Sequence, residues 1–268
     1  MEILIPALWF ALLGGVFGII LAIASKVFAV KVDERVSSIN EILPGANCGG
    51  CGYAGCSAYA EAVVRGEAPI GACNAGGNAV AQKMAEIMGE VAENVVEMRA
   101  FVLCHGEGGT MKYIYEGAPD CVSAARLGGG SRQCQYGCIG LGSCASVCDC
   151  DAIEIKGGVA HILPEKCIGC GKCVNICPKN LIKLLPESTV CYVGCNSADK
   201  GSAVRSYCKA GCIGCKMCEK VCEVGAIKAD GALAVIDQSI CIGCKRCAEK
   251  CPRKIIKVTK NGICKIEE

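Results

Sequence analysis

Residues 167–177 read "CIGCGKCVNIC", and the fold turns on that frame. It recurs as "CIGCKMCEKVC" at 212–222, as "CIGCKRCAEKC" at 241–251 and, altered, as "CIGLGSCASVC" at 138–148. In the altered copy Leu141 stands where the others carry Cys170, Cys215 and Cys244. Thiols at two-residue gaps with a last one three residues on have the spacing of bacterial iron–sulfur ligation. There the fourth Cys of each run ligates the other cluster. Three thiolates on a short loop cap one side of a cubane, and the last reaches across, so each cluster staples two halves together.

The frames come in two equally spaced pairs, the one at 138 with the one at 167 and the one at 212 with the one at 241. Sliding the chain along itself so that Cys121 falls on Cys195 also lays Cys134, Cys138, Cys144 and Cys148 on Cys208, Cys212, Cys218 and Cys222. The same shift lays Cys167, Cys170, Cys173 and Cys177 on Cys241, Cys244, Cys247 and Cys251 without a gap. This internal repeat, roughly 121–185 and 195–260, predicts two tandem two-cluster modules.

Ligand sets follow from the exchange rule. In the second unit one cluster takes Cys212, Cys215, Cys218 and Cys251, and its partner takes Cys241, Cys244, Cys247 and Cys222. In the first unit one takes Cys167, Cys170, Cys173 and Cys148. The other has Cys138, Cys144 and Cys177, and Leu141 leaves it one thiol short. Cys134, just ahead of Cys138, is the expected replacement. Cys208 sits at the matching place where no ligand is missing, so two alternatives stay open: Cys121, or a three-iron cluster on three protein thiolates.

Upstream, Cys48, Cys51, Cys56 and Cys73 form C-x2-C-x4-C-x16-C. Three thiols share a Gly-rich loop, and the fourth returns after a helix expected at 57–65 and ended by Gly66. Zinc is the competing metal, but three ligands this tight in a chain full of ferredoxin frames favour a cubane. The total is five [4Fe–4S] clusters. Seven cysteines remain: Cys104, Cys121, Cys150, Cys191, Cys195, Cys208 and Cys264. They read as small buried thiols, with a further cluster left open. Asp149 and Glu223, which replace the Pro that usually follows the frame, read as solvated turn residues.

Composition agrees. The chain has 268 residues, 27 cysteines and 4% aromatics, too few for a large aromatic core. Metal binding must therefore supply much of the folding free energy. The odd cysteine count and the regular spacing argue against a disulfide scaffold. A net charge of +2, with no basic tract interleaved with aromatics, gives a nucleic-acid role no support. Neither a strand–GxGxxG–helix unit nor a P-loop is present, so the organic chemistry belongs elsewhere and this chain carries electrons.

Residues 3–24 are uncharged and span about 33 Å as a helix, enough for a bilayer core. Glu2 in place of a basic leader argues against a cleaved signal. Lys26, Lys31 and Arg35 follow, which puts the bulk of the chain on the cytoplasmic side. The stretch 31–47 reads as a linker with a short helix broken at Pro44-Gly45. Residues 76–98 read as a helix with one buried face, and 99–104 as a strand. The expected fold is α+β. A membrane anchor (1–30) leads to a linker, a small [4Fe–4S] domain and its following helix (31–98). Ferredoxin-like modules then occupy 99–190 and 191–268.

The membrane segment, "NCGGCGYAGC…C" at 48–73, "YGCIGLGSC" at 136–144 and the paired ferredoxin frames together resemble the B subunit of the Rnf complex, in the longer form found in anaerobes. The resemblance covers essentially the whole chain. It implies an ion-translocating ferredoxin:NAD⁺ oxidoreductase in the cytoplasmic membrane. In it this subunit takes electrons from soluble ferredoxin, and NAD binds another subunit. A non-pumping membrane reductase subunit and a structural iron–sulfur scaffold are the rival readings.

Overall fold

A computed structural model describes residues 4–27, 33–91, 95–229, 231–260 and 263–264. The first helix, α1, runs Leu4–Val27, a little past the expected end because nothing from Ile23 to Val27 breaks a helix. Its stretch Trp9–Lys26 is long and apolar enough to cross a membrane, and none of it is buried. Phe10 and Leu21 are each more than two-thirds exposed. A helix apolar all round with no protein against it needs another apolar medium.

α2, Glu34–Ile42, is capped by Asp33, whose carboxylate accepts the Arg35 N–H at 2.9 Å. It packs with α3, Cys56–Val64, and α4, Gly77–Met88, around fully buried Ile39, Tyr59 and Met84. α3 stops where Gly66 turns left-handed at φ 73°. α4 is shorter than the helix expected over 76–98. Gly89 takes φ 70° and its N–H closes on the Ala85 carbonyl, a left-handed C-cap. Residues 92–94, within the same expectation, lie outside the described residues.

In the rest of the chain the elements around the frames repeat in structure. The first unit contains β1 (Met98–Val102), α5 (Cys121–Arg126), α6 (Ser143–Ser146), β2 (Ile153–Lys156), β3 (Val159–Ile162), α7 (Lys172–Ile176) and β4 (Ile182–Pro186). The second contains β5 (Cys191–Val193), α8 (Gly201–Tyr207), α9 (Met217–Lys220), β6 (Ile227–Lys228), β7 (Val235–Ile236), α10 (Arg246–Lys250) and β8 (Ile256–Lys260), with β9 (Ile263–Cys264) pairing against β8. Helices α6 and α7 recur as α9 and α10, and β4 recurs as β8, each displaced by the repeat shift, whereas α5 and α8 are not repeat counterparts. The pairings within the units are antiparallel: β1 with β4, β2 with β3, β5 with β8 and β6 with β7.

Each unit has its own apolar core, small because cysteines occupy much of it. In the first, Val159, Leu181 and Ile182 are at most 2% exposed. Burying each such side chain contributes about 1.5–3 kcal/mol. Strand β1 ends at Val102, short of the expected 104, because the chain bends at Leu103, at the boundary between units. The Leu103 N–H donates to the Leu181 carbonyl at 2.7 Å and the His105 N–H to the Gly194 carbonyl at 3.1 Å. Phe101 and Tyr192 meet edge to face across this seam, with ring centroids 5.0 Å apart.

Candidate metal centres

The four frame loops share one backbone device. Gly140, Gly169, Gly214 and Gly243, the third residue of each frame, all lie at positive φ. The fifth is left-handed as well: Gly142 and Gly171 in the first unit, Lys216 and Lys245 in the second. A Cβ at Gly140 would collide with the Gly158 carbonyl, and one at Gly169 with the Met98 carbonyl. At Gly140, Gly169 and Gly214 a neighbouring backbone crosses over the third residue, so a side chain there has no room. The loop folds back on itself, and a short helix begins just before the third cysteine.

This geometry gathers the thiols into sets. Cys48, Cys51, Cys56 and Cys73 line one cavity of about 340 Å³. Cys212, Cys215, Cys218 and Cys251 line another of about 370 Å³. Cys148, Cys167, Cys170 and Cys173 line a third, of about 900 Å³, which also reaches Cys150 and the turn at Pro44–Ala46. Each is a set expected from the spacing. For the remaining expected set, Cys241, Cys244 and Cys247 stand with Cys191. The Cys191 and Cys247 thiols are hydrogen-bonded, and Cys222 packs into the same apolar core.

At the altered frame the structure differs from the expectation. Cys138, Cys144 and Cys177 line a cavity of about 360 Å³ with Cys121, not Cys134. Asp120 caps α5, accepting the Ser123 N–H at 2.8 Å. The Cys121 N–H donates to Ser143 Oγ at 2.7 Å, which pins the start of α5 to the helix that carries Cys144. Leu141 packs beside Cys121 and Ile139. Sequence proximity favours Cys134. It carries no sign that a helix cap brings the more distant Cys121 to the same place. Cys134 lies instead on a separate cavity with Cys104, Cys195 and Cys208.

The donor chemistry fits iron–sulfur clusters. Burial pushes the Cys144 thiol up to about 12, and the charges of Cys138, Cys121 and Cys177 push the same way. Burial raises Cys173 to about 12, helped by Cys167 and Cys170. Burial also raises Cys73, with Cys48, Cys51 and Cys56 adding to it. Thiols that oppose one another's ionisation are stabilised as thiolates by a shared cationic core. Among the described residues, no three His, Cys, Asp or Glu side chains converge on a point that one metal ion could occupy. Cysteines with described side chains are all free thiols.

Backbone N–H groups reach several sulfurs. Ala152 donates to Cys148 Sγ at 3.4 Å, Cys138 to Cys104 Sγ at 3.4 Å and Cys212 to Cys195 Sγ at 3.3 Å. Such bonds tune cluster potential. The two carboxylates after the frames are not simply solvated. Asp149 pairs with Lys172 at 2.5 Å, and its repeat counterpart Glu223 pairs with Arg246, each pair joining the two loops of its unit. Both carboxylates are largely exposed, so solvent screens each pair and its main effect is to hold the two loops in register. His105 lies in a loop. It is half-buried, with its ring Nε2 3.0 Å from the Tyr192 hydroxyl, and lines the Cys104 cavity. Burial chiefly holds its pKa down at about 4, with Lys257 and then His161 adding to the shift.

The sets also neighbour one another. A Cβ at Gly50 would sit 2.7 Å from the Cys170 carbonyl oxygen, and Cys170 lies on the wall of the Cys48 cavity. The N-terminal metal loop therefore covers the 167–173 loop. In the second unit the matching cysteines, Cys215 and Cys244, are exposed.

Comparison with known proteins finds iron–sulfur families in this chain. Residues 43–75 match the family described as "Putative Fe-S cluster", 160–183 a "4Fe-4S binding domain" and 211–255 a "4Fe-4S dicluster domain". The chain is 45% identical over 239 residues to the B subunit of the Na⁺-translocating ferredoxin:NAD⁺ oxidoreductase complex of Acetobacterium woodii, covering 88% of this chain and 72% of the relative. It is 46% identical over 233 residues to the B subunit of the proton-translocating complex of Clostridium ljungdahlii, covering 85% and 82%. It is 41% identical over 250 residues to the B subunit of the ion-translocating oxidoreductase complex of Methanosarcina acetivorans, covering 92% and 94%. With its clustered thiols, its apolar first helix and these relatives, the chain belongs to the B subunits of the Rnf complex, the ion-translocating ferredoxin:NAD⁺ oxidoreductases, as an iron–sulfur electron-transfer subunit.

Proposed function

We propose that this subunit accepts electrons from reduced ferredoxin at its C-terminal unit and passes them through a row of [4Fe–4S] clusters toward its membrane end. The single observation that supports the direction is asymmetric cover. Cys215 and Cys244 are exposed in the second unit, whereas the N-terminal loop lies over Cys170 in the first. Bound clusters supply one-electron carriers that need no proton.

The chain supplies their ligands. Five sets carry the reading: Cys48, Cys51, Cys56 and Cys73; Cys148, Cys167, Cys170 and Cys173; Cys121, Cys138, Cys144 and Cys177; Cys212, Cys215, Cys218 and Cys251; and Cys222, Cys241, Cys244 and Cys247. The last four sets, taken in pairs, form tandem two-cluster ferredoxin modules at 99–190 and 191–268. Cys121 takes the place that Leu141 leaves vacant, which revises the expectation of Cys134. Anaerobic assays of iron and acid-labile sulfide should give no fewer than about 20 irons per chain. A count of about 12 or fewer would refute the two-module reading.

α1 anchors the chain in the cytoplasmic membrane with the cluster domains on the cytoplasmic side, following Lys26, Lys31 and Arg35. Deleting residues 1–30 should release a soluble, brown, cluster-bearing fragment. Full-length protein found in the soluble fraction without detergent would contradict the anchor. The partners in this reading are the integral-membrane and NAD-binding subunits of the complex and soluble ferredoxin.

A further inference from the structure

We propose that Cys104, Cys134, Cys195 and Cys208 hold a sixth [4Fe–4S] cluster at the seam between the two units. All four line one cavity of about 470 Å³, larger than three of the four cavities that hold the other thiol sets. None of the four falls within the segments matched by the iron–sulfur families. This goes beyond the five-cluster reading.

The site is built twice over, once from each unit. Cys134 and Cys208 are repeat counterparts, and so are Gly137 and Gly211, whose α-carbons face them. A Cβ on Gly137 would lie 3.4 Å from Cys134 Sγ, and one on Gly211 3.5 Å from Cys208 Sγ. The other two thiols, Cys104 and Cys195, are not sequence counterparts but play matching parts. Each sulfur accepts the N–H of the first cysteine of its neighbouring frame, Cys138 at 3.4 Å and Cys212 at 3.3 Å. Gly106 lies between the two halves. A Cβ there would be 3.2 Å from Cys208 Sγ and 3.8 Å from Cys104 Sγ. The repeat explains the exchange: Cys121 replaces Leu141 within its own unit, whereas its counterpart Cys195, with Cys215 present, is free to face the seam.

A second, independent observation points to an anion here. Arg132, on the cavity wall, is only 8% exposed. Its guanidinium donates to the Gly106 carbonyl at 2.6 Å and the Gly158 carbonyl at 2.8 Å, and its buried Nε has no partner. Among the described residues it forms no ion pair, and a lone buried cation is costly. A four-thiolate cluster is anionic in either oxidation state and would balance it. The N–H bonds to Cys104 and Cys195 put this cluster next to the Cys138 set on one side and the Cys212 set on the other. One electron leaving a reduced cluster of the second unit would be taken up here and handed to the first unit, with no proton moved.

The test uses the full chain, purified anaerobically, with iron, acid-labile sulfide and zinc counted. Wild type should hold about 24 irons. Cys134→Ala and Cys208→Ala should each lose about four, and the double variant about four as well, because both remove the same cluster. About 20 irons in wild type with neither variant changed overturns the proposal. So do about one zinc per chain lost in both variants with iron unchanged, a loss confined to Cys134→Ala, or losses that add in the double variant. The wild-type count needs no variant to fold. A wild-type count near 12 refutes the five-cluster reading, whereas a shared loss of about four irons in the two variants still marks the seam cluster.

Discussion

Cys121→Ala is expected to remove about four irons from the purified chain, and Leu141→Cys in the same chain to restore them. The altered frame lacks one thiolate, and the cavity lined by Cys138, Cys144 and Cys177 is completed by Cys121. Leu141 packs against Cys121, so a thiol introduced at 141 enters the same space. Restoring the frame should therefore make Cys121 dispensable. Leu141→Cys should not rescue Cys134→Ala, because Cys134 lines a different cavity. The Cys121→Ala/Cys134→Ala double variant should lose about eight irons, since separate clusters are lost. Rescue of Cys134→Ala by Leu141→Cys, with Cys121→Ala at full iron content, would reinstate the ligand that sequence spacing favours.

Reversing charge beside the Cys241–Cys247 loop should slow reduction by ferredoxin about tenfold at low salt. Residues 241–260 carry seven Lys and Arg against the single acid Glu249. The structure sorts them. Arg246 is paired with Glu223, and Arg253 turns inward, donating to the carbonyls of Gly211 and Cys208. Lys245, Lys250 and Lys254 are left exposed on the chain segment that carries Cys244. An acidic donor protein would be steered to this face, and the effect fades with salt because screening reaches only about 8 Å near physiological ionic strength. Lys245→Glu/Lys250→Glu should be slower, show a flatter salt dependence and keep its iron. A rate and salt slope equal to wild type would move the docking site to another cluster.

How much of this the sequence reveals varies with range. The short cysteine gaps are local, and for three of the five expected sets the cavities contain all four thiols read from spacing. α1 is equally plain because its apolar run is unbroken. Placement of thiols outside the repeated frames is not legible. Cys121 reaches its cavity through a helix cap and a hydrogen bond to Ser143, neither of which has a spacing signature. Cys104 and Cys195 reach one cavity only because the chain crosses the seam at Leu103–His105. One further signal does lie in the sequence: Cys134 and Cys208 are repeat partners outside the frames, and a repeat that keeps two spare thiols in register invites a shared site. The paired Asp149–Lys172 and Glu223–Arg246 bridges likewise obey the repeat shift and are open to the same reasoning.

The central claim is that this chain is a conductor and that its clusters are not merely structural. Anaerobic titration of the full-length chain with reduced ferredoxin, followed by loss of visible iron–sulfur absorbance, tests it most directly. The account predicts bleaching close to that produced by excess dithionite, the N-terminal Cys48–Cys73 site included. Negligible bleaching by ferredoxin, with all the iron retained, would contradict it and leave the clusters as a scaffold.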